Sequence, residues 1–240
     1  VPAPYGILRD THMLEPGAWM EVDVAGRVRH GRFYEFPVGR EATLRGDAAV
    51  EAVDAAVTAA VRRQLVSDVP VGAFLSGGID SPLVVAKMRA VSATPPRAFT
   101  IGNVGDASDE SADAAAYARE LGVAHVVEQT TPAHALALLD DVVAACGEPF
   151  GDYSIFPTML VSKLARRECT VMLSGDGGDE LFWGYVGRFG GVLTRLSELT
   201  RPRWWRQARH AARRIARVAG GYDYLTQDSV GAWYLRTHTH

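Results

Sequence analysis

The feature that most constrains this chain is an apolar run, Val71-Gly72-Ala73-Phe74-Leu75, that passes directly into Ser76-Gly77-Gly78-Ile79-Asp80-Ser81 and then into an apolar, helix-like segment. A buried strand, a tight glycine turn and a helix start are thereby forced into succession. Adjacent glycines let the backbone bend sharply and approach a ligand, while amide N–H groups and the helix dipole at such a turn favour negative charge. The expected product is an anion cradle with phosphate as its guest. The Gly-Lys-Ser/Thr ending that grips β- and γ-phosphates in a P-loop is missing, so the turn belongs to another phosphate-binding kind.

The periods on either side set the architecture around it. Val50, Val53, Val57, Val61 and Leu65 recur at helical spacing and predict a helix ending near Asp68-Val69-Pro70. Past the turn, the pattern predicts a helix from about Pro82, a strand from Ala98 to Ile101, a helix from Asp109 to Leu121 closed by Gly122, and a strand from His125 to Val127. Helices from Pro132 to Ala145 and from Pro157 to Arg167 follow, then the strand Thr170-Val171-Met172-Leu173. Successive βα units of this kind imply right-handed crossovers and a doubly wound, mostly parallel α/β sheet that binds ligands at the carboxyl ends of its strands. Ahead of it, Trp19 to Phe36 reads as a β-hairpin turning at Ala25-Gly26, with Pro37 to Gly46 as a linker. Two strands cannot bury a core, so the hairpin must pack on the rest of the chain or on a preceding domain. The expected division is residues 1–40 as hairpin and linker and 41–240 as the main domain. Near the other end, Trp204, Ala208, Ala211, Ile215 and Val218 form an apolar stripe, with Arg206, Arg209, Arg213 and Arg217 on another face. That pattern predicts a packed helix with a solvated basic face, a grip for RNA, membrane or a partner being the alternative.

Composition narrows the class. With 48% hydrophobic and 22% charged residues, the chain can bury one sizeable core. A net charge of -3 gives no global pull toward nucleic acid or anionic membrane. Cys146 and Cys169 lack CxxC spacing and are too few for a disulfide framework, so they read as small core residues in a reducing compartment, with no zinc site. No apolar run approaches the ~18 residues of a membrane span, and the amino terminus lacks a signal layout. The expected location is cytoplasmic. A start at Val1 and an end on Thr-His-Thr-His read as a piece of something longer.

A second glycine turn, Ser174-Gly175-Asp176-Gly177-Gly178-Asp179-Glu180-Leu181-Phe182, follows the strand ending at Leu173 and opens another helix. It brings acidic groups to the edge where the first turn brings a phosphate cradle. At an effective dielectric near 20, a carboxylate ~4 Å from a phosphate charge is repelled by about 4 kcal/mol. Asp80 and Asp179 can therefore face a nucleotide only with a cation between them. One or two carboxylates with phosphate oxygens and water are what octahedral Mg²⁺ prefers.

The first hexapeptide resembles the pyrophosphate loop, Ser-Gly-Gly-x-Asp-Ser, of enzymes that split ATP into AMP and pyrophosphate. Together with the second turn and Gly147-Glu148-Pro149-Phe150-Gly151-Asp152, it resembles the synthetase domain of the glutamine-hydrolysing asparagine synthetase family, over roughly Asp47 to Tyr185. Residues before about Pro37, including Leu14-Glu15-Pro16-Gly17, resemble the last hairpin of that family's glutaminase domain. The resemblance implies a pyrophosphate-loop ATPase fold and a ligase in which a carboxylate attacks the α-phosphorus of ATP and ammonia then displaces AMP. By position it implies that Ser76, Gly77, Gly78 and Ser81 hold pyrophosphate and that Asp80 and Asp179 bind metal. Leu75, Ile101, Ser174 and Gly175 would line the nucleotide site, through apolar contact and backbone polar groups. Asp176, where the family often has glutamate, would face substrate and ammonia, with Glu180 assisting or serving only the helix dipole. ATP and Mg²⁺ are the implied cofactors, aspartate the implied carboxylate. Membrane and nucleic-acid partners are not implied, and a homodimer is left open.

Departures from the family pattern sharpen these expectations. The glutaminase reaction uses an amino-terminal cysteine, whereas Cys146 and Cys169 are internal, so ammonia must come from a domain outside these residues. The only lysines are Lys87 and Lys163; Lys87 is expected to point away from the loop, leaving the family's phosphate-steadying lysine beyond His240. Pro82 follows the loop serine at a tolerated first-turn position, and Trp183 replaces a common glycine. Three alternatives stay open: a relative that amidates another carboxylate or closes a peptide or β-lactam ring, a tRNA-modifying enzyme of the same loop type, and an inert nucleotide-binding fragment.

Overall fold

A computed structural model describes residues 3–37, 43–103, 105–149, 151–185, 190 and 201–215. The chain divides into two compact units, Val1–Ser174 and Gly175–His240.

The first unit opens with the hairpin of β1 (Ala18–Val22) and β2 (Val28–Arg32), paired antiparallel from Ala18↔Arg32 to Val22↔Val28. Asp23 builds its turn. One carboxylate oxygen accepts from the amides of Ala25 and Arg27, each at 2.9 Å, and the other from the Arg27 guanidinium at 2.7 Å. Met20, Val22, Val28 and Phe33 are nonetheless exposed, so the hairpin leaves much of its apolar surface to water. Half of the predicted linker, residues 38–42, lies outside the described residues.

The core is a parallel sheet of β3 (Val71–Phe74), β4 (Arg97–Asn103), β5 (Ala124–Thr130) and β6 (Val171–Leu173) in the order β5-β4-β3-β6. Strand alternation gives it two apolar faces. On one, Ala73, Leu75, Ala98 and Leu173 pack with Val61 of α1 (Asp47–Gln64), Val85 and Met88 of α2 (Asp80–Val91), and Ala114 and Ala118 of α3 (Ser111–Leu121). On the other, Phe99 with Phe74, Ile101 and Val126 meets Leu164 and Ala165 of α6 (Ile155–Ala165) and Cys169. Helices on both faces make this the doubly wound α/β class.

Two local departures have physical causes. The stripe of α1 is buried only in its second half: Val57, Val61 and Leu65 join the core, while Val50 and Val53 are exposed. The single helix predicted from Pro132 to Ala145 is instead α4 (Pro132–Leu136) and α5 (Leu139–Cys146). The chain tightens between them, the Leu138 amide donating to the Ala135 carbonyl at 3.1 Å, and the bend turns Leu138 inward, where it is buried.

The second unit holds α7 (Gly178–Phe182) and α8 (Arg203–Ile215). Helix α8 reverses the predicted faces: Trp204, Ala208 and Ala211 are exposed, while Trp205 is half-buried and Arg206 is only 7% exposed. The guanidinium carbons of Arg209 and Arg201 lie 5.1 and 5.9 Å from the Trp205 ring centroid. One indole with the alkyl stems of the arginines covers more apolar surface than a stripe of alanines, and Arg201 and Arg209 gain cation–π contact with its ring. Arg217 and Val218 lie outside the described residues. Among the described residues no helix is long and apolar enough to cross a membrane.

Candidate functional site

Strand order locates the site. The chain steps outward from β3 to β4 to β5, then returns to place β6 on the opposite side of β3, so the switch point of the sheet lies between β3 and β6. Crevices at such points, outside the carboxyl strand ends, are where open α/β sheets bind ligands. Val71↔Val171 and Ala73↔Leu173 are in register, so these two strands end side by side. The first glycine turn leaves β3 at Leu75, and the chain leaves β6 at Ser174 toward the second.

The first turn is knit by its own serines. Ser81 Oγ accepts from the Ser76 amide at 2.8 Å and lies 2.9 Å from Ser76 Oγ, which in turn accepts from the Gly78 amide at 3.2 Å. Ser81 is buried at 8% exposure. The Gly77 amide donates to the Glu110 carboxylate at 3.0 Å. The turn's amides are thus partly engaged by the chain itself, where the sequence led us to expect them open. Helix α2 begins immediately afterwards with no side-chain cap, so its first-turn amides and positive dipole end face the same edge. Asp80, half-buried, stands in that first turn.

Leu75 is buried at 3% with its side chain in the core beneath α2, whereas Ile101 is half-buried on the opposite face of the sheet. Only backbone groups of Leu75 can reach the edge. Its amide donates to the Phe99 carbonyl at 3.0 Å, and its carbonyl accepts from Thr100 Oγ1 at 2.6 Å. The structure therefore assembles Leu75, Ser76, Gly77, Gly78, Asp80, Ser81, Ile101 and Ser174 along the carboxyl ends of β4, β3 and β6.

In the second unit, the Gly178 amide donates to the Gly175 carbonyl at 3.2 Å, closing the turn that starts α7. Asp179 is half-buried in the first turn of α7, with its carbonyl accepting from the Gly184 amide at 3.0 Å. Asp176 and Glu180 are exposed, and Glu180 accepts from the Tyr185 hydroxyl at 2.8 Å. Trp183 ends α7 in the left-handed region at φ 61, the conformation for which glycine is the usual residue. Among the described residues, no group of three or more His, Cys, Asp and Glu could hold a metal. Asp80 and Asp179 each stand in the first turn of a helix that follows a glycine turn, and each offers the hard carboxylate oxygens that Mg²⁺ takes.

Lys87 is turned away from the loop, its ammonium paired with Asp54 of α1. Three residues beside the turn escaped the sequence reading: Thr100, His125 and Glu110. A threonine inside an apolar strand and a histidine beginning the next were the available signal.

The family model for asparagine synthase matches residues 52–239. A putative glutamine-hydrolysing asparagine synthetase 2 of Methanocaldococcus jannaschii is 36% identical over 80% of this chain and 37% of its own length. Glutamine-hydrolysing asparagine synthetase 1 of Bacillus subtilis is 31% identical over 77% of this chain and 29% of its own. The chain thus spans well under half the length of these relatives. Among solved structures, a glutamine-dependent NAD⁺ synthetase from Acinetobacter baumannii, in complex with ADP, aligns with TM-score 0.42 and 22% identity over 69% of this chain and 31% of that one. From the family match and these identities, the chain belongs to the asparagine synthase family.

Proposed function

We propose that this chain is the synthetase part of an ATP-dependent, amide-forming carbon–nitrogen ligase that uses aspartate. The observation that carries the proposal is the departure of two family-type glycine turns from β3 and β6, the strands that flank the switch point.

The chemistry follows from what each group can do. The aspartate side-chain carboxylate attacks the α-phosphorus of ATP, and the bond to the β-phosphate oxygen breaks, giving an acyl-adenylate and pyrophosphate. Ammonia then attacks the acyl carbon, AMP leaves with the bonding electrons, and a proton lost from nitrogen completes the amide. The Ser76 and Ser81 hydroxyls and the uncapped first turn of α2 stabilise negative charge growing on the pyrophosphate. Asp80 and Asp179 would hold Mg²⁺, whose charge offsets that of the phosphate oxygens. Backbone groups at Leu75, Ser174 and Gly175, with Ile101, orient the nucleotide so that the carboxylate meets phosphorus in line. Asp176, exposed on the second turn, orients the incoming ammonia, and Glu180 supports the turn through Tyr185. Ammonia is supplied by a glutaminase domain outside these residues.

Incubation with ATP, Mg²⁺, ammonium and aspartate tests this. Asparagine, AMP and pyrophosphate in equal amounts are the expected products. Release of ADP and phosphate, or turnover with a different carboxylate and none with aspartate, would contradict it.

A further inference from the structure

We infer that Thr100, itself held by His125, is a positioning residue that sets where the phosphate turn begins by fixing the carbonyl of Leu75. The inference rests on the ATP-using reading above and concerns the same site.

Leu75 is the last residue tied to the sheet before the turn. Its amide still makes a ladder bond to Phe99, but its carbonyl is taken by the Thr100 hydroxyl at 2.6 Å. β4 meanwhile continues beside β5 as far as Asn103↔Thr130. A side chain thus replaces the backbone at the point where β3 must part from its neighbour to open the crevice.

The partners of that hydroxyl are determined by proton counting. Its single proton goes to the Leu75 carbonyl, so His125 Nε2, 2.7 Å from Thr100 Oγ1, must be the donor in the second bond. This fixes the imidazole as the tautomer protonated on Nε2. His125 can reach because Ala98 pairs with His125, which makes Thr100 and His125 diagonal neighbours on one face of the sheet. Thr100 is 4% exposed, so its bond to the Leu75 carbonyl is shielded from water. Sequence distance rules out local turn chemistry: the hydroxyl and the carbonyl are 25 residues apart. Glu110 takes the Gly77 amide on the far side of Ser76, so Ser76 is pinned between two anchors from outside the turn.

The test compares Thr100→Val, which keeps the shape, with Thr100→Ser, which keeps the hydroxyl. Amide exchange of residues 76–81 and calorimetric binding of MgATP are read for each. In Thr100→Val, exchange should accelerate at least ~10-fold at the turn and MgATP affinity should fall about 10-fold, while the serine variant stays within ~3-fold of the parent. Unchanged exchange and affinity in the valine variant, or failure of serine to restore them, overturns the inference. If the valine variant does not fold, ¹⁵N spectra of the parent decide: a proton on Nδ1 in place of Nε2 of His125 overturns it. If the parent binds no MgATP but Thr100→Val still accelerates exchange at the turn, the ATP reading falls and the positioning role stands.

Discussion

Gly77 and Gly78 sit side by side and answer to different constraints. A Cβ at Gly77 would lie 2.9 Å from the Cβ atoms of both Asp113 and Glu110, so the turn and the start of α3 could not both keep their places. At Gly78 the nearest atom would be Ser76 Oγ at 3.4 Å, an ordinary contact. Gly77→Ala is therefore expected to destabilise by about 1–3 kcal/mol through overpacking, whereas Gly78→Ala should fold with a shift below ~0.5 kcal/mol. Urea unfolding of the two variants checks this directly. If phosphate does approach the backbone there, Gly78→Ala should still lose nucleotide binding, a split between stability and function that packing alone does not produce. His125 supplies a second residue-scale expectation. Burial holds its imidazole below the ordinary histidine range, so the unfolded chain binds a proton that the folded chain refuses. Below the unfolded value of ~6.5 the unfolded state carries more protons, and stability falls as pH drops through that value toward the folded one. Unfolding at about pH 5.5 and about pH 7.5 should show this loss in the parent and a smaller one in His125→Gln. The exposed aspartates with lowered values, such as Asp106 and Asp152, titrate below that window and do not obscure it. The glycine turn between β3 and α2 was legible because it is local in sequence. Thr100, His125 and Glu110 were not, because their roles arise from cross-strand register and from the packing of a loop far along the chain.

Elements were readable where period and punctuation agreed. Gly122 illustrates this: it closes α3 in the left-handed region at φ 63, its amide bonded to the Arg119 carbonyl at 3.2 Å, as a glycine after an apolar period predicts. A Cβ there would meet nothing within 4 Å, so Gly122→Ala isolates the conformational cost. The expected loss is about 1–2 kcal/mol, measurable as a lowered melting temperature with an unchanged far-ultraviolet spectrum. Reading failed where a period was present without enough bulk to decide its direction. Over its described side chains the predicted stripe of α8 is Trp204, Ala208 and Ala211, and the neighbouring face, with Trp205 and arginine stems, takes the buried side. The segment after Pro132 carries apolar residues continuously enough to suggest one helix, but the inward demand of Leu138 breaks it. Periodicity reports that a face exists; which face is covered depends on the area it can bury.

At the scale of the molecule, alternating βα periods were sufficient to predict the parallel sheet, but not its order. The position of β6 beside β3 comes from packing that no spacing encodes, and it is this position that makes a switch point at the root of both glycine turns. Family membership over residues 52–239 gives that arrangement its chemical reading. The most direct measurement is aspartate-dependent exchange of labelled pyrophosphate into ATP with Mg²⁺, for the parent, Asp80→Asn and Asp179→Asn. The account predicts exchange in the parent and a loss of at least ~100-fold in each variant. Absence of exchange in the parent, or exchange surviving either substitution within a few-fold, would contradict it.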